Sequence, residues 1–221
     1  MTRLHITAFA CLFTGLSGLA IAEPQLYETG PAEESSYVRF VNATDKDISV
    51  LSSTGSAKIA LSTKNDGRVS RFYPVKAGTK LSATIQHGDK KDPIDVTGKP
   101  WEYITIAVLP GSGTQVETKL IRETPTDFNA MKSSVSLFNL DAKCPDAVLQ
   151  GGAKAATILD KVQPFSVARR LVNPVKLSAT VACGAATSNV DLSQLQAGER
   201  YSVFLLNLKN ARQAFFARDV N

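Results

Sequence analysis

Basic side chains on or beside predicted strands are the residues with the clearest chemical potential in this sequence. An arginine guanidinium donates hydrogen bonds in a fork that matches a carboxylate, and a lysine supplies a point charge. The pattern therefore predicts a shallow groove for an anionic sugar chain or an acidic protein face. The alternative is that these are outward positions that keep the surface soluble and blunt the sheet edges. The residues are Arg39, Arg71 and Lys80 in the first half of the chain, and Arg169, Arg170 and Lys176 in the second.

Aromatic residues offer a second kind of binding chemistry, because flat rings can stack on the apolar faces of sugars. Tyr73, Trp101 and Tyr103 could form such a platform. A tryptophan beside a strand also fits a place in the core or at its margin. The aromatic residues thus leave open both a sugar-binding surface and a structural role, and the core position is the one we expect for Trp101.

Side chains that could run a reaction are scarce. His87 is the one histidine beyond the predicted signal segment, and it lies in a charged turn where an ordinary solvated role is expected. A serine nucleophile needs a base held beside it, usually histidine. No GxSxG, HExxH, GxGxxG or GxxxxGKS/T motif occurs, and carboxylate pairs for glycoside cleavage stay possible only because such pairs meet in the fold. We expect a protein that is not an enzyme, with no catalytic residue, bound metal or cofactor.

The two cysteines beyond the signal segment, Cys144 and Cys183, both lie in the second half of the chain. An even pair of cysteines in an exported chain typically forms a disulfide. The bridge would close a loop of about 39 residues and so restrict the unfolded chain. The rival interpretation, a two-cysteine metal site, lacks further soft ligands. We therefore predict a disulfide.

The N-terminal 22 residues resemble a secretory signal peptide. Arg3 supplies the charged start, residues 6–19 form the apolar middle, and Ala20-Ile21-Ala22 provides a small-residue cleavage site. The apolar run is too short to span a bilayer comfortably, and an uncleaved anchor is the alternative. We expect an exported mature protein that does not span the membrane. The mild charge of the chain, +5, would favour an acidic partner and argues against nucleic acid.

Three segments occur twice in the same order, so the chain contains an internal repeat. KLSATI (80–85) recurs as KLSATV (176–181), and SYVRFVN (36–42) recurs as SSVSLFN (133–139). EYITIAVL (102–109) is similar to RYSVFLLN (200–207). A period of about 97 residues is too long for a solenoid and fits two whole domains in tandem. The predicted boundaries are a signal peptide at 1–22, a first domain at 23–122, a linker at 123–131 and a second domain at 132–221.

Short alternating runs with turn residues between them predict the fold class as all-β, with two tandem β-sandwich domains. In the first repeat, Asn65-Asp66-Gly67 predicts a tight hairpin turn, because Asp-Gly readily adopts positive backbone angles. The alignment of the two repeats also predicts which residues face the second core. It puts Ser202, Phe204 and Leu206 in the inward places of Ile104, Ile106 and Val108.

Two stretches resemble the family of the alginate biosynthesis protein AlgF. LYETGPAEESSYVRFVNATDKDISV (26–50) is similar to the start of the mature family members, with a Leu-Tyr pair, a proline-containing lead and a V-R-x-x-N strand. ARRLVNPVKLSATV (168–181) is similar to a second family stretch with an N-P-V-K core. The resemblance covers most of the mature chain, including its two-unit layout and signal, and its motifs are structural strands.

The resemblance implies a periplasmic accessory protein of alginate O-acetylation, built from two β-sandwiches. Such a protein works beside separate periplasmic and membrane-bound acetyltransferases, which carry the catalytic residues. Cys144 and Cys183 depart from the family pattern. The polysaccharide that we expect to be acetylated is therefore alginate or a related exopolysaccharide. The expected function is a non-catalytic adaptor that brings the acetyltransferases together. The alternative is a pair of carbohydrate-binding modules that holds the anionic polysaccharide.

Overall fold

The computed structural model describes residues 34–53, 57–113 and 115–220, whose regular secondary structure consists almost entirely of β-strands. The predicted signal peptide at 1–22 lies outside the described residues. One short 3-10 helix spans Asn65–Gly67. The strands of the first half are β1 (Ser35–Asn42), β2 (Ile48–Ser52), β3 (Lys58–Leu61), β4 (Tyr73–Lys76), β5 (Lys80–His87), β6 (Lys90–Thr97), β7 (Tyr103–Pro110) and β8 (Val116–Glu123). Those of the second half are β9 (Ser133–Asn139), β10 (Ala147–Gly151), β11 (Ala156–Val162), β12 (Ser166–Val172), β13 (Lys176–Cys183), β14 (Ala186–Gln194), β15 (Arg200–Leu208) and β16 (Ala211–Arg218).

The strands form four four-stranded sheets, and the two halves have the same topology. Sheet A has the order β4-β1-β7-β8 and sheet B the order β3-β2-β5-β6. Sheet C, β12-β9-β15-β16, and sheet D, β11-β10-β13-β14, repeat these orders strand for strand. The central pairs β1–β7 and β9–β15 are parallel, and the other pairs are antiparallel. This architecture confirms the predicted all-β fold of two β-sandwiches.

Each sandwich encloses its own apolar core, which the alternation of the strands supplies. In the first sandwich, Ala83 and Ile85 of β5 are buried between sheets A and B, and Leu81 packs against them. In the second sandwich, the equivalent side chains of β13 are buried between sheets C and D. Side chains on alternate positions of a strand point to the same face. The repeated sequence KLSAT therefore builds the same inner wall twice.

The register predicted for β15 is wrong by one residue. The side chains of β15 that face the second core are Tyr201, Val203 and Leu205, whereas Phe204 and Leu206 lie in a separate cluster on the opposite face. A slip of one position exchanges the two faces of a strand. The sequence did not reveal the slip because both faces of β15 are buried, so apolar residues occupy both sets of positions.

In each half, a buried asparagine at the end of the equivalent strand holds the following loop in place. Asn42 ends β1, and its side-chain nitrogen donates to the carbonyls of Lys46 (2.8 Å) and Leu61 (3.3 Å). Asn139 ends β9 and donates in the same way to the carbonyls of Cys144 (2.8 Å) and Val162 (2.9 Å). Buried amide donors need such partners, because an unpaired one is costly. The two asparagines explain why both copies of this repeated segment end in that residue.

The Asn65-Asp66-Gly67 turn differs from the predicted hairpin. The three residues form a 3-10 turn, and Gly67 is not among the glycines with positive φ. A Cβ atom at Gly67 would lie 2.3 Å from Ser62 Oγ. The glycine therefore accommodates the close approach of the Ser62 side chain, and its backbone angles do not call for glycine.

The two sandwiches pack face to face through sheets A and C, so residues 33–221 form one compact unit. A third apolar cluster fills this contact, with Val41 and Ala107 from the first sandwich and Phe138 and Phe204 from the second. Each edge of sheet A contacts an edge of sheet C. Strand β8 contacts β12, and the segment just before β4 contacts the segment just after β16. This arrangement is that of a symmetric dimer whose two subunits use the same surface.

Candidate functional site

Arg39 lies inside the contact between the sandwiches and is not a surface residue. It is 1% exposed. Its guanidinium pairs with Asp219 at 2.7 Å and donates to Thr105 Oγ1 and Ser202 Oγ, each at 2.9 Å. The last two partners belong to different sandwiches, so one side chain joins both. The prediction that Arg39 lines an exposed groove is therefore wrong, because the side chain is buried.

Aromatic rings complete the environment of Arg39. The guanidinium carbon lies 4.4 Å from the ring centre of Phe72, 4.9 Å from that of Phe138 and 5.2 Å from that of Phe204. Cation–π contacts of this kind gain strength when water is excluded. Burial lowers the pKa of Arg39, and attraction to Asp219 acts in the opposite direction. Arg39 therefore fastens the two sandwiches together and has no donor facing a ligand site.

Arg169 also serves the contact between the sandwiches. Its guanidinium forms an ion pair with Glu123 of β8, and both side chains are largely buried. It also donates to Ser134 Oγ at 2.9 Å. Beside this pair, Arg200 lies 4.4 Å over the ring of Tyr103. Two of the six predicted binding residues, Arg39 and Arg169, are thus structural.

The other four predicted residues are exposed, but they lie on four different sheets. Arg71 precedes β4 of sheet A and lies 4.9 Å over the ring of Tyr73. Lys80 opens β5 of sheet B and pairs with Asp95 at 3.1 Å. Arg170 is on β12 of sheet C, and Lys176 opens β13 of sheet D. The structure therefore does not bring the six basic residues together in one groove.

The three predicted platform residues are also dispersed. Tyr103 stacks on Tyr37 with ring centres 4.7 Å apart, within the contact between the sandwiches. Tyr73 lines a cleft on the side of the first sandwich. Trp101 is 60% exposed, so the expected core position is wrong. Trp101 alone presents most of its ring to solvent.

The turn that carries Trp101 is firmly held. Trp101 donates its backbone N–H to the Ser35 carbonyl at 2.8 Å. The buried carboxylate of Glu102 accepts the Lys99 N–H at 2.9 Å and pairs with Arg122 at 2.8 Å. Trp101 itself has φ 61°, a left-handed backbone conformation that residues other than glycine rarely adopt. The backbone is therefore fixed while the indole ring projects outward.

Most exposed apolar side chains of the described residues lie at the same end of the molecule as Trp101. At this end β7 and β15 begin, as the contact between Tyr103 and Arg200 shows. Strand pairing brings the ends of β8, β12 and β16 to the same place. Trp101 precedes β7, Phe128 and Met131 lie between β8 and β9, Val175 follows β12, and Val220 follows β16. These are five of the six large exposed hydrophobic residues described, and we call them the apolar end.

A cleft of about 210 Å³ opens on the side of the first sandwich, between the edge strands β3 and β4. We call it the side cleft. Val38, Phe40 and Val50 of the core reach into it, and Ile59 and Leu81 form its walls. In the second sandwich, Ile158, Ala168 and Val172 pack against the core at the corresponding edges. Arg170 also donates to the Ile158 carbonyl at 3.2 Å and bridges the two edges there.

Cys144 and Cys183 are joined in a disulfide within the core of the second sandwich, with Cα atoms 5.8 Å apart. This bond fits the disulfide predicted from the sequence. In the first sandwich, His87 ends the equivalent strand β5, and its ring Nε2 lies 2.5 Å from Asp92 Oδ2. Its ring is largely shielded, in contrast to the solvated position expected. Disulfides are typical of proteins that fold in oxidising compartments.

Across residues 34–53, 57–113 and 115–220, no cluster of three or more His, Cys, Asp or Glu side chains is arranged to hold a metal ion. Within those same ranges, no helix has the length and apolar character needed to cross a membrane.

Comparison with known proteins gives only distant similarity. No family model and no curated protein matches the chain. The structure of the Bacillus anthracis TIE protein is 8% identical with a TM-score of 0.26, over 78% of this chain and 34% of that one. A candidate cell adhesion protein from Bacteroides ovatus is 10% identical with a TM-score of 0.25, over 86% and 99%. This chain thus spans about a third of the TIE protein, and likenesses at this level carry no argument about function.

Proposed function

We propose that this protein is an exported, non-catalytic adaptor in the periplasm. It brings together the periplasmic and membrane-bound proteins that O-acetylate alginate or a related exopolysaccharide. The observation that carries the proposal is the apolar end, where Trp101, Phe128 and Met131 stand in solvent on a firmly held scaffold. The resemblance of the sequence to the AlgF family supplies the pathway.

The apolar end has the composition of a protein-binding surface. Tryptophan, phenylalanine and methionine are enriched in the buried centres of interfaces, and tryptophan is prominent among the residues that dominate binding energy. Trp101 and Met131 are 60% and 76% exposed, so a partner would remove a large apolar area from water. Scattered single hydrophobic residues need no explanation, but five at one end of the described chain do.

The contact between the sandwiches suits a scaffold that holds partners at fixed positions. Arg39 bonds to residues of both halves, and Arg169 pairs with Glu123 across the same contact. Buried charged pairs fix one arrangement, because any other arrangement leaves a charge unpaired in a dry interior. A partner at the apolar end would meet residues of both sandwiches and of their connection. The internal disulfide agrees with folding outside the cytoplasm.

Co-purification of the mature chain with the polysaccharide O-acetyltransferases of the same organism tests the proposal. The double variant Trp101→Ser/Met131→Ser should lose at least about tenfold in retained acetyltransferase. Leu120→Ser is the matched control, because Leu120 is exposed on β8 and does not belong to the apolar end. Urea unfolding of each variant checks that the fold is kept. Failure to retain any acetyltransferase, or equal retention by all three proteins, would refute the proposal.

Binding of anionic polysaccharide is the second candidate function, and the exposure of Trp101 favours it. An exposed indole ring can stack on a sugar, and the exposed Lys99 lies in the same turn to meet a carboxylate. Trp101 is the single tryptophan of the chain, so intrinsic tryptophan fluorescence reports on this site alone. Titration with oligouronates at moderate salt should shift the emission. An unchanged spectrum at millimolar sugar would reject this candidate.

A further inference from the structure

The side cleft is a second apolar surface, separate from the apolar end. We propose that it binds an extended segment of a partner protein in which apolar residues alternate with acidic ones. The inference rests on the adaptor function, since a protein that bridges two partners needs two distinct surfaces. The side cleft lies between two sheet edges, whereas the apolar end lies beyond the strand ends, and the lining of the cleft includes none of the five residues of the apolar end.

The floor of the side cleft is the core of the first sandwich. Val38, Phe40 and Val50 are buried core residues that also line the cleft. Ile59 and Leu81 are only partly buried there, although they pack against that core. An apolar side chain placed in the cleft would therefore continue the core directly and remove their remaining surface from water. Such an apolar lining favours an apolar side chain over water.

The walls of the side cleft are the unpaired edges of two strands. β3 is the edge of sheet B, and β4 is the edge of sheet A. Each is four residues long, so neither edge covers the core beneath it. An exposed strand edge binds an extended peptide through main-chain hydrogen bonds, and pockets for alternate side chains provide specificity. An extended occupant would thus direct every second side chain into the cleft.

The rim of the side cleft selects the remaining side chains by charge. Arg71 lies over the ring of Tyr73, which lines the cleft. Asp95 is engaged by Lys80 and by Ser82 Oγ. The exposed basic residues on β3 and β4 or just before β4 are Lys58, Arg71 and Lys76. Side chains of an extended occupant that point away from the floor meet this basic rim, so acidic residues fit those positions.

The matching edges of the second sandwich also border a cavity, of about 300 Å³, but none of its lining residues belongs to the buried core. Ile158 and Val172 cover the core at the corresponding place, and Arg170 bridges the two edges through the Ile158 carbonyl. Its strands β11 and β12 have seven residues each, against four for β3 and β4. The same topology therefore closes the core in one copy and leaves it accessible in the other. The second sandwich serves as an internal control for the test.

Two ten-residue peptides, one alternating valine with glutamate and one alternating valine with lysine, test the proposal. Each is titrated into the isotope-labelled mature chain, and backbone amide shifts are followed. We expect the glutamate peptide to bind at least about tenfold more tightly and to shift residues of β3 and β4. Arg71→Glu should remove or reverse the preference without disturbing the fold, because Arg71 is exposed. Arg170→Glu, in the second sandwich, should leave it unchanged.

Equal binding of both peptides, or shifts spread over other sheet edges, would overturn the proposal. The Trp101→Ser/Met131→Ser variant separates this inference from the adaptor function. That variant should bind the glutamate peptide normally while it loses the acetyltransferases. Peptide binding without any acetyltransferase association would refute the adaptor and keep the cleft, and the opposite result would refute the cleft alone.

Discussion

The two sandwiches share one topology but differ in how completely they close. Among the described residues, the second core has seventeen buried members and a disulfide, whereas the first core has eleven. The first sandwich keeps a cleft of about 210 Å³ that reaches its core, and it carries the exposed Trp101. The comparison teaches that one copy of a repeat can bury a larger core while the other leaves apolar surface accessible.

Individual residues at equivalent positions also differ between the two sandwiches. Cys183 ends β13 and forms the disulfide, whereas His87 ends the matching strand β5 and contacts Asp92. Gly198 precedes β15 with φ 79°, and Trp101 stands at the matching place before β7 with φ 61°. Glycine adopts this conformation without strain, but tryptophan does not. The first copy therefore keeps a less favourable residue where its ring is exposed.

Replacement of Arg39 should have the largest effect on stability. Arg39→Met leaves Asp219 buried without its ion-pair partner, which costs about 3–5 kcal/mol in comparable buried pairs. Urea unfolding should then split into two transitions, with the first sandwich unfolding at the lower concentration. The double variant Arg39→Met/Asp219→Asn should recover part of the loss. A single, unshifted transition in Arg39→Met would show that the contact does not couple the halves.

Removal of the disulfide should erase part of the advantage of the second sandwich. Cys144→Ala/Cys183→Ala releases a loop with a sequence separation of 39 residues, and we expect a loss of about 2–4 kcal/mol in the free energy of unfolding. Hydrogen exchange should become faster in β10 and β13 and stay unchanged in β2 and β5. Equal acceleration in both halves would contradict a local role for the bridge.

Acid should weaken the second sandwich through Asp141. Burial acts to raise the pKa of Asp141, but hydrogen bonds from Arg212, the Lys143 N–H and Asn207 together bring the pKa below its usual value. Because the folded pKa is lower than the unfolded one, the carboxylate stabilises the fold at neutral pH. This contribution is lost as the pH falls below about 4 and through the folded pKa.

Asp141→Asn should therefore destabilise the protein by about 1–3 kcal/mol at pH 7 and flatten the decline of the unfolding free energy between pH 5 and pH 3. Asp95→Asn in the first sandwich is the control. The pKa of Asp95 is lowered by the Ser82 and Lys80 hydrogen bonds, but the group is exposed, so its replacement should change stability little. An unaltered pH profile in Asp141→Asn would exclude this carboxylate as the source of acid sensitivity.

Substitutions at the equivalent turn residues Trp101 and Gly198 should have the smallest effects on stability, with opposite signs in the two halves. Trp101→Gly should stabilise the protein by about 1 kcal/mol, because it relieves a left-handed backbone. Gly198→Ala should destabilise it by a similar amount for the same reason. Thermal unfolding measures both changes. A loss of stability in Trp101→Gly would mean that the indole contributes more to the fold than its exposure indicates.

The sequence predicted the all-β fold of two sandwiches, because this depends on local alternation, on turn residues and on the internal repeat. It did not predict that sheets A and C cover each other. Alternation shows that side chains of β1 point to two faces, but it does not show that a further layer buries the second face. Arg39 was therefore assigned to the surface. The apolar run from Ile104 to Leu109, with no exposed face, was the signal that could have revealed the extra layer.

The candidate sites were less predictable than the fold. The side cleft forms because β3 and β4 are short, and strand ends are the least certain part of a sequence-based prediction. Trp101 was expected in the core because a large ring beside a strand is commonly buried. Its exposure follows from the positive φ of its turn and from the bonds of Glu102, which composition does not show.

The ion pair between Arg39 and Asp219 joins residues 180 positions apart and so sets an order of assembly. During synthesis from the N-terminus, Arg39 is made long before Asp219. Until the counterion arrives, the guanidinium must stay hydrated, and the surrounding phenylalanine rings cannot close over it. Chains that end before Asp219 should therefore leave the contact between the sandwiches open. The ion pair thus makes closure of this contact depend on synthesis of residue 219.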